Sequence, residues 1–241
     1  MYLDVSIWSD IACPWCFVGK QRLEQALAHY AGEPNALPVQ LRWRAFELDP
    51  RPRVPDNRPY AERLAIKYGR TLTQSQQMID TMAAAICAEG GDVEFDQICV
   101  ANTFNAHRLI QWAGSLDRSG VSLGVQQKLT DALMRAYLGR GLNPDDTGQL
   151  LKVVRTLGLD ELAAGKVLSG DEFAREVRND EEMAQQYGIT GVPFFMIGRY
   201  GTPGAQDPVT LLDLLKQAAA DLSGDASAPS KGAPRCDPGR S

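Results

Sequence analysis

The alternation of hydrophobic and polar residues predicts an α/β unit at the start of the chain. Apolar and polar positions alternate over residues 2–8, which predicts a β-strand with one buried face. From residue 17 to about residue 31 the apolar positions recur every three or four residues, which predicts an amphipathic helix. Alternation returns over residues 39–48 and predicts a second strand. A strand, a helix and a strand in this order are expected to form a βαβ unit with two parallel strands.

A long helical region is predicted beyond the turn-rich residues 51–59. Its apolar residues keep the helical period, and Thr73 is predicted to cap the second helix, which Gly90 and Gly91 end. We expect helices over residues 60–69, 74–89, 101–116, 121–138, 146–157 and 171–187.

Strand patterns return near the C-terminal end. Residues 189–198 form a short apolar run that Pro193 interrupts, residues 199–206 follow as a second short segment, and a helix is predicted from Pro208. The apolar stripe of that helix comprises Leu211, Leu214, Leu215, Ala218 and Leu222. We therefore predict three regions: an α/β domain from residues 1–50 and 171–222, a helical insertion domain at residues 51–170, and a flexible tail at residues 223–241.

Composition and charge restrict the class of protein. Of the 241 residues, 44% are hydrophobic and 23% are charged, which is typical of a globular protein in water. The net charge is −5 and the 25 basic residues are scattered, so nucleic acid is not an expected partner. The sequence contains no run of about 18 apolar residues and no basic leader followed by an apolar run, so we expect no membrane span and a cytoplasmic location.

The cysteines indicate redox chemistry. An odd and sparse set of five does not fit a secreted disulfide scaffold. A closed zinc site needs about four ligands, whereas this chain has one close cysteine pair and two histidines, His29 and His107. We therefore predict no metal site and a redox-active pair. The remaining cysteines are predicted to be two small buried residues, Cys87 and Cys99, and a tail thiol, Cys236.

The close pair, Cys13 and Cys16, is predicted to lie where the first strand gives way to a helix. A helix N-terminus favours a thiolate, and thiols at such positions titrate well below the value of about 8.5 of a free cysteine. Cys13 is therefore predicted to be the nucleophile at the exposed rim, with Cys16 buried behind it. Pro14 suits the first helical turn, and Trp15 is predicted to offer an apolar surface to a substrate chain.

Three motifs carry a resemblance to a known family. They are SDIACPWC at residues 9–16, NTFNAHRL at residues 102–109 and GVPFF at residues 191–195. With the order of the predicted elements, they resemble the DsbA-like branch of the thioredoxin superfamily, and within it the cytoplasmic FrnE-like group. The resemblance implies a thioredoxin-like α/β fold with a large all-helical insertion.

The resemblance also implies roles for individual residues. Cys13 resembles the family's nucleophile and Cys16 its resolving cysteine. Pro193 resembles the cis-proline that faces the active-site disulfide, and Val192 the residue whose backbone meets an extended substrate. His107 lies in the helical domain that overhangs the site in related enzymes, so it is a candidate substrate-binding residue.

The implied activity is thiol–disulfide exchange or disulfide isomerisation on protein or peptide disulfides, with no cofactor. Trp15 stands where DsbA has a histidine, so reduction or isomerisation fits better than strong oxidation. Glutathione or a thioredoxin-type reductant would recycle the pair. Two alternatives remain: a glutathione-dependent 2-hydroxychromene-2-carboxylate isomerase, whose family generally has serine at the first position, and a protein that captures zinc or copper(I) at the cysteine pair.

Cys236 lies in the predicted tail, 14 residues beyond residue 222. A flexible chain of that length has a root-mean-square reach of roughly 20 Å, and a tethered thiol has an effective concentration on the millimolar scale. Cys236 is therefore a candidate redox relay to the Cys13–Cys16 pair.

Overall fold

A mixed four-stranded sheet carries the fold. The computed structural model describes residues 1–51, 56, 58–120 and 124–224. Within these residues the sheet has the order β2-β1-β3-β4. β1 pairs with β2 in parallel, β3 pairs with β1 antiparallel, and β4 pairs with β3 antiparallel. The strands are β1 (Leu3–Ser9), β2 (Val39–Ala45), β3 (Phe194–Ile197) and β4 (Tyr200–Pro203).

Nine α-helices lie within the described part of the chain, and the six between β2 and α8 form a continuous helical region. A short 3-10 turn at Phe95–Gln97 joins two of them. The helices are α1 (Pro14–Tyr30), α2 (Tyr60–Tyr68), α3 (Leu72–Ala88), α4 (Phe104–Arg118), α5 (Val125–Arg140), α6 (Thr147–Thr156), α7 (Glu161–Ser169), α8 (Ala174–Gln186) and α9 (Pro208–Ser223). Among the described residues, no helix is both long and apolar enough to span a membrane.

Both faces of the sheet are covered. Leu3, Val5 and Ile7 of β1 belong to the main core, to which α1 and α9 contribute their apolar faces. Trp8 faces the opposite side, where it packs in a second cluster with Ala184 of α8. The second face of β1 is therefore exposed at Asp4 and becomes buried only towards Trp8, in the second cluster. The predicted α/β fold, with β1, α1 and β2 in a parallel unit, is confirmed.

Several predicted boundaries are wrong. Thr71 caps α3 instead of Thr73: its hydroxyl accepts a hydrogen bond from the Gln74 N–H at 3.2 Å, and the Gln74 side chain accepts one from the Thr71 N–H at 3.0 Å. Strand β3 begins only after Pro193, because proline has no N–H for the ladder. Leu222 belongs to the predicted stripe of α9 but is 44% exposed, because it lies in the last turn, beyond the edge of the core.

Helix α7 was not predicted, because it is short and has Gly165 at its centre, which lowers helix propensity. The start of the helix predicted over residues 121–138 lies outside the described residues, and α5 begins at Val125. The division into an α/β domain, a helical insertion domain and a tail stays a prediction, and the tail from residue 225 onward lies outside the described residues.

We expect Gly19→Ala to destabilise the protein although alanine favours helices. A Cβ at Gly19 in α1 would lie 3.0 Å from Cγ of Pro193 and 3.1 Å from Cζ of Phe195. Such overpacking costs about 1–3 kcal/mol, which exceeds the helix-propensity gain of about 1 kcal/mol. Gly165→Ala is the matched control, because a Cβ there meets nothing within 4 Å. Urea unfolding should show a lower midpoint for the first variant and a higher one for the second; equal gains would contradict the tight contact.

Candidate active site

The cysteine pair begins helix α1. Cys13 is the N-cap residue, with an extended backbone at φ −98° and ψ 112°, and Pro14 occupies the first helical position as predicted. The Cys13 carbonyl accepts hydrogen bonds from the N–H groups of Cys16 at 3.0 Å and Phe17 at 3.4 Å. The pair therefore lies at the end of the helix where unpaired N–H groups and the helix dipole favour negative charge.

Both sulfur-bearing side chains are buried. Cys16 is 1% exposed, and Cys13 is only 5% exposed, so the predicted exposed rim position of Cys13 is wrong. Both cysteines are free thiols. Burial raises the pKa of the Cys16 thiol well above its usual value, and contact with the Cys13 sulfur raises it further, whereas the Asp10 backbone and the Ser9 hydroxyl lower it. Cys16 thus holds its proton more tightly than an exposed thiol does.

The cover over Cys13 comes from the loop before β3. The Val192–Pro193 peptide bond is cis, and the Cys13 thiol lies 3.5 Å from the Val192 carbonyl, to which it can donate a hydrogen bond. Gly19, one turn beyond Cys16, allows Pro193 to approach α1 closely. The bond before Pro193 is therefore cis, and Val192 lies beside the Cys13 sulfur, while the role of Pro193 at the cysteine pair stays a prediction.

Asp10 holds the loop between β1 and α1. One carboxylate oxygen accepts a hydrogen bond from the Ala12 N–H at 3.1 Å, and the other accepts one from the Leu48 N–H at 2.8 Å. The Asp10 carbonyl accepts a third from the Cys13 N–H at 3.1 Å. The Asp10 side chain is buried, so it fixes the approach of the chain to Cys13.

His107 of α4 is the charge partner of Asp10. Its Nε2 lies 3.5 Å from Oδ1 of Asp10, and both residues are buried, at 2% and 1% exposure. Burial lowers the pKa of His107, but Asp10, Glu47 and Glu181 together raise it above its usual value. Burial likewise raises the pKa of Asp10, but His107 and the Leu48 and Ala12 N–H groups bring it below its usual value. The two shifts favour a buried ion pair when His107 is protonated, although its Nε2 makes no hydrogen bond among the described residues.

A second group of charges lies on the far side of His107. Glu47 accepts hydrogen bonds from Asn102 at 2.7 Å and from Arg178 at 2.6 Å, and Arg178 also binds Glu181 at 2.6 Å. Asn102 begins the NTFNAHRL motif, so this motif supplies both the histidine and an amide that binds its acidic neighbour. Because His107 is buried among these groups, its predicted role in binding substrate stays a prediction.

Trp15 is the exposed member of the motif, at 37% exposure. It borders a groove of about 330 Å³ between α1 and α3, which we call the Trp15–α3 groove. Tyr60 of α2 lies close enough to Cys13 for a thiolate there to raise its pKa, although burial is the main cause of the rise to about 12. The helical region therefore borders the cysteine pair from one side. The groove is lined by Trp15, Arg70, Gln74, Gln77, Met78, Thr81 and Met82.

Cys87 and Cys99 are not part of this site. Cys87 is exposed and Cys99 is partly exposed, and both are free, so their predicted burial is wrong. Cys87 lies next to the buried Ile86 near the end of α3 and points away from the core. Cys236 lies outside the described residues. Within the described ranges, no group of three or more His, Cys, Asp or Glu side chains could hold a metal ion.

Sequence reasoning missed Ser9 and Asp10. Both belong to the SDIACPWC motif, where two polar residues interrupt an apolar run directly before the cysteines, and that interruption was the available signal. Ser9 is 4% exposed, and its hydroxyl has no hydrogen-bond partner among the described residues, although it lies close enough to Cys16 to lower the pKa of that thiol. Ser9 and Asp10 therefore lie next to the cysteine pair on its buried side.

The sheet order, the cysteine pair at the start of α1 and the cis-proline opposite Cys13 define a thioredoxin-like dithiol protein with a helical insertion. The family model for the DSBA-like thioredoxin domain matches residues 4–216. The chain belongs to this family.

Known proteins and solved structures are similar over nearly the whole chain. The probable DsbA oxidoreductase SCO1869 from Streptomyces coelicolor is 35% identical with a TM-score of 0.78, covering 95% of this chain and 93% of its own. A 2-hydroxychromene-2-carboxylate isomerase has a TM-score of 0.66 at 16% identity, covering 93% of this chain and 100% of its own, which shows a shared fold alone. The uncharacterized protein YwbO of Bacillus subtilis (strain 168) is 24% identical over 225 residues, covering 92% of this chain and 98% of YwbO.

We expect His107→Gln to destabilise the protein more at pH 6 than at pH 9. The raised pKa of His107 means that its stabilisation is complete below the usual histidine value of about 6.5 and is lost as pH rises through the folded value. The lowered pKa of Asp10 adds stability above the usual aspartate value of about 3.9, so both groups contribute at pH 6. Loss of a buried charge partner costs about 3 kcal/mol. Urea unfolding at both pH values measures the difference.

The exposed histidine on α1 provides the control. His29→Gln should leave the free energy of unfolding within about 0.5 kcal/mol of wild type at either pH. An equal loss at pH 6 and pH 9 in His107→Gln would show that His107 contributes packing and not charge.

Proposed function

We propose that the protein is a thiol–disulfide oxidoreductase or disulfide isomerase that exchanges disulfides with protein or peptide substrates. The observation that carries this proposal is the contact between two free thiols at one helix start, with the Val192 carbonyl 3.5 Å from the first of them. The membership in the DSBA-like family supports it. Placement in the FrnE-like group and in the cytoplasm is part of the proposal.

In the first step the Cys13 thiolate attacks one sulfur of a substrate disulfide. A bond forms between Cys13 and that sulfur, the substrate S–S bond breaks, and the other substrate sulfur leaves as a thiolate that takes up a proton. The position of Cys13 as N-cap of α1 supports this role, because the positive end of the helix stabilises the attacking thiolate.

In the second step Cys16 loses its proton, and its thiolate attacks the Cys13 sulfur of the mixed disulfide. The Cys13–Cys16 bond forms and the second substrate thiol leaves, so two electrons have passed from the cysteine pair to the substrate. The burial of Cys16 supports this order, because a thiol with a raised pKa is a poor first attacker but reacts once a disulfide lies in contact with it.

Val192 is proposed to position the substrate. A carbonyl beside the reactive sulfur can accept a hydrogen bond from the backbone of an extended substrate chain, in the manner of an added strand. Pro193, Pro14 and Trp15 would border the same segment. Glutathione or a thioredoxin-type protein is the proposed reductant that returns the Cys13–Cys16 disulfide to the dithiol.

The second candidate function is glutathione-dependent isomerisation of 2-hydroxychromene-2-carboxylate, because an isomerase of that kind shares the fold. That chemistry needs one activated group and no resolving cysteine. Here Cys16 lies in contact with Cys13, which supports a dithiol reaction. Capture of a soft metal by the pair is the third alternative; a stable site needs further ligands beside the two sulfurs, and the described ranges offer no such cluster.

We expect Cys13→Ser to abolish disulfide reduction and Cys16→Ser to stop the reaction at the mixed disulfide. Cys13→Ser removes the nucleophile, so reduction of insulin disulfides should fall by at least about a hundredfold. Cys16→Ser should accumulate a mixed disulfide with a substrate peptide, which mass spectrometry would detect at Cys13. Cys87→Ser removes an exposed thiol outside the site and should leave the rate unchanged.

Insulin reduction that persists in Cys13→Ser would exclude the proposed mechanism. Glutathione-dependent isomerisation of 2-hydroxychromene-2-carboxylate that survives in Cys16→Ser would instead favour the second function.

We also propose that Cys236 relays electrons to the pair. In Cys16→Ser treated with oxidised glutathione, Cys13 first forms a mixed disulfide with glutathione. The Cys236 thiolate then attacks the Cys13 sulfur and releases glutathione, because a tethered thiol acts at a millimolar effective concentration. Peptide mapping should recover a Cys13–Cys236 disulfide, which Cys16→Ser combined with Cys236→Ser cannot form. Recovery of only the glutathione adduct would contradict the relay.

A further inference from the structure

The Trp15–α3 groove lies directly beside the reactive pair, because Trp15 stands between Cys13 and Cys16 in the chain. Its volume of about 330 Å³ is at the lower end of the range of about 300–1,000 Å³ for ligand sites. One wall is formed by Trp15, and the other by Arg70 and the first turns of α3. A chain bound to Cys13 would pass close to this groove.

Two polar side chains of the groove, Arg70 and Gln74, have donor groups left for a ligand. The Gln74 carbonyl oxygen already accepts the Thr71 N–H at 3.0 Å, so the Gln74 NH₂ is the group left to bind a ligand. The Thr81 hydroxyl donates to the Gln77 carbonyl of its own helix at 2.8 Å. Arg70 adds a guanidinium, which forms no ion pair within the described part of the chain. The Arg70 guanidinium and the Gln74 NH₂ are therefore free to bind a ligand with acceptor oxygens, such as a carboxylate.

Acidic side chains of α3 are directed away from the groove. The one acidic residue of α3 is Asp80, which lies about 200° around the helix from Met78 of the groove. Asp80 is also bound by the Gln76 amide at 2.9 Å. Among the described residues, Arg70 is therefore the one charged residue that lines the groove.

The remaining lining is apolar and adaptable. Trp15, Met78 and Met82 supply an indole face and two thioethers, and methionine side chains adjust to different partners. Tyr68 and Leu72, 51% and 56% exposed, flank Arg70 in the chain and extend the apolar surface. A polypeptide segment with mixed side chains fits such a surface better than a small polar ligand does.

We propose that the Trp15–α3 groove binds the segment of a polypeptide substrate next to its disulfide, and that Arg70 selects segments with a carboxylate side chain. This inference rests on the proposed function and names its substrate class. Trp15 and the methionines contact the apolar part of the segment, while Arg70 and the Gln74 NH₂ bind the carboxylate.

The test compares disulfide peptides that differ in one residue. Each peptide carries Glu, Gln or Lys at one to four positions from its cysteine, and kcat/KM for reduction is measured with the full chain. Wild type should reduce the best-placed Glu peptide about fivefold faster than its Gln counterpart, which is the scale of a partly exposed ion pair. The preference should lie in KM and should shrink at 0.5 M salt.

Three variants separate charge from structure. Arg70→Gln should remove the Glu preference and leave the Gln peptide unchanged. Arg175→Gln, which removes an exposed arginine on α8, should keep the preference. Thr81→Trp should fill the groove and raise KM for every peptide, while circular dichroism confirms that each variant is folded.

The outcomes distinguish this inference from the proposed function. Equal kcat/KM for Glu, Gln and Lys peptides in active wild type would overturn the inference and leave the proposed function intact. Slower turnover of oxidised glutathione alone in Arg70→Gln would overturn it in favour of a small anionic ligand. Absence of turnover with every peptide would overturn both.

Discussion

The Asp10 carboxylate is the point on which the geometry of the site depends. It binds the Ala12 and Leu48 N–H groups and lies 3.5 Å from His107, so it joins the loop before α1, the segment after β2 and helix α4. The backbone carbonyl of Asp10 accepts a hydrogen bond from the Cys13 N–H. A buried carboxylate without partners would lower the stability of the fold. The partners of Asp10 therefore fix where α1 begins and where the Cys13 sulfur lies.

From that fixed start the difference between the two sulfurs follows. The first thiol faces the Val192 carbonyl at the edge of the loop, and the second lies deeper, with only 1% of Cys16 exposed. Burial raises the pKa of Cys16, while Ser9 and the Asp10 backbone oppose that rise. The same short segment, residues 9–16, therefore supplies both the helix start that favours a thiolate and the polar groups that limit the rise in the pKa of Cys16.

The sequence allowed the strands, most helices and the reactive pair to be predicted, because periodicity and a helix-start motif are local signals. The partners of those residues could not be predicted in the same way. Asp10 meets a histidine from α4, and Cys13 is covered by Val192 from the loop before β3, so the burial of Cys13 depends on contacts distant in sequence. Local competition explains smaller errors: Thr71 and Thr73 each have a glutamine three residues later, Gln74 and Gln76, so both fit a capping box, and the structure uses Thr71.

The helical region between β2 and α8 contributes to the site in two places, a buried histidine on α4 and a groove wall on α3. Helix α4 brings His107 to the buried Asp10. A substitution at either residue would alter the loop that carries Cys13. From the side, α3 forms a groove with Trp15 that touches neither buried charge. Because the two contributions come from different helices and share no residue, the surface beside Trp15 can vary without disturbing the support beneath Cys13. Under the proposed function, this arrangement would separate the choice of substrate from the chemistry of the sulfurs.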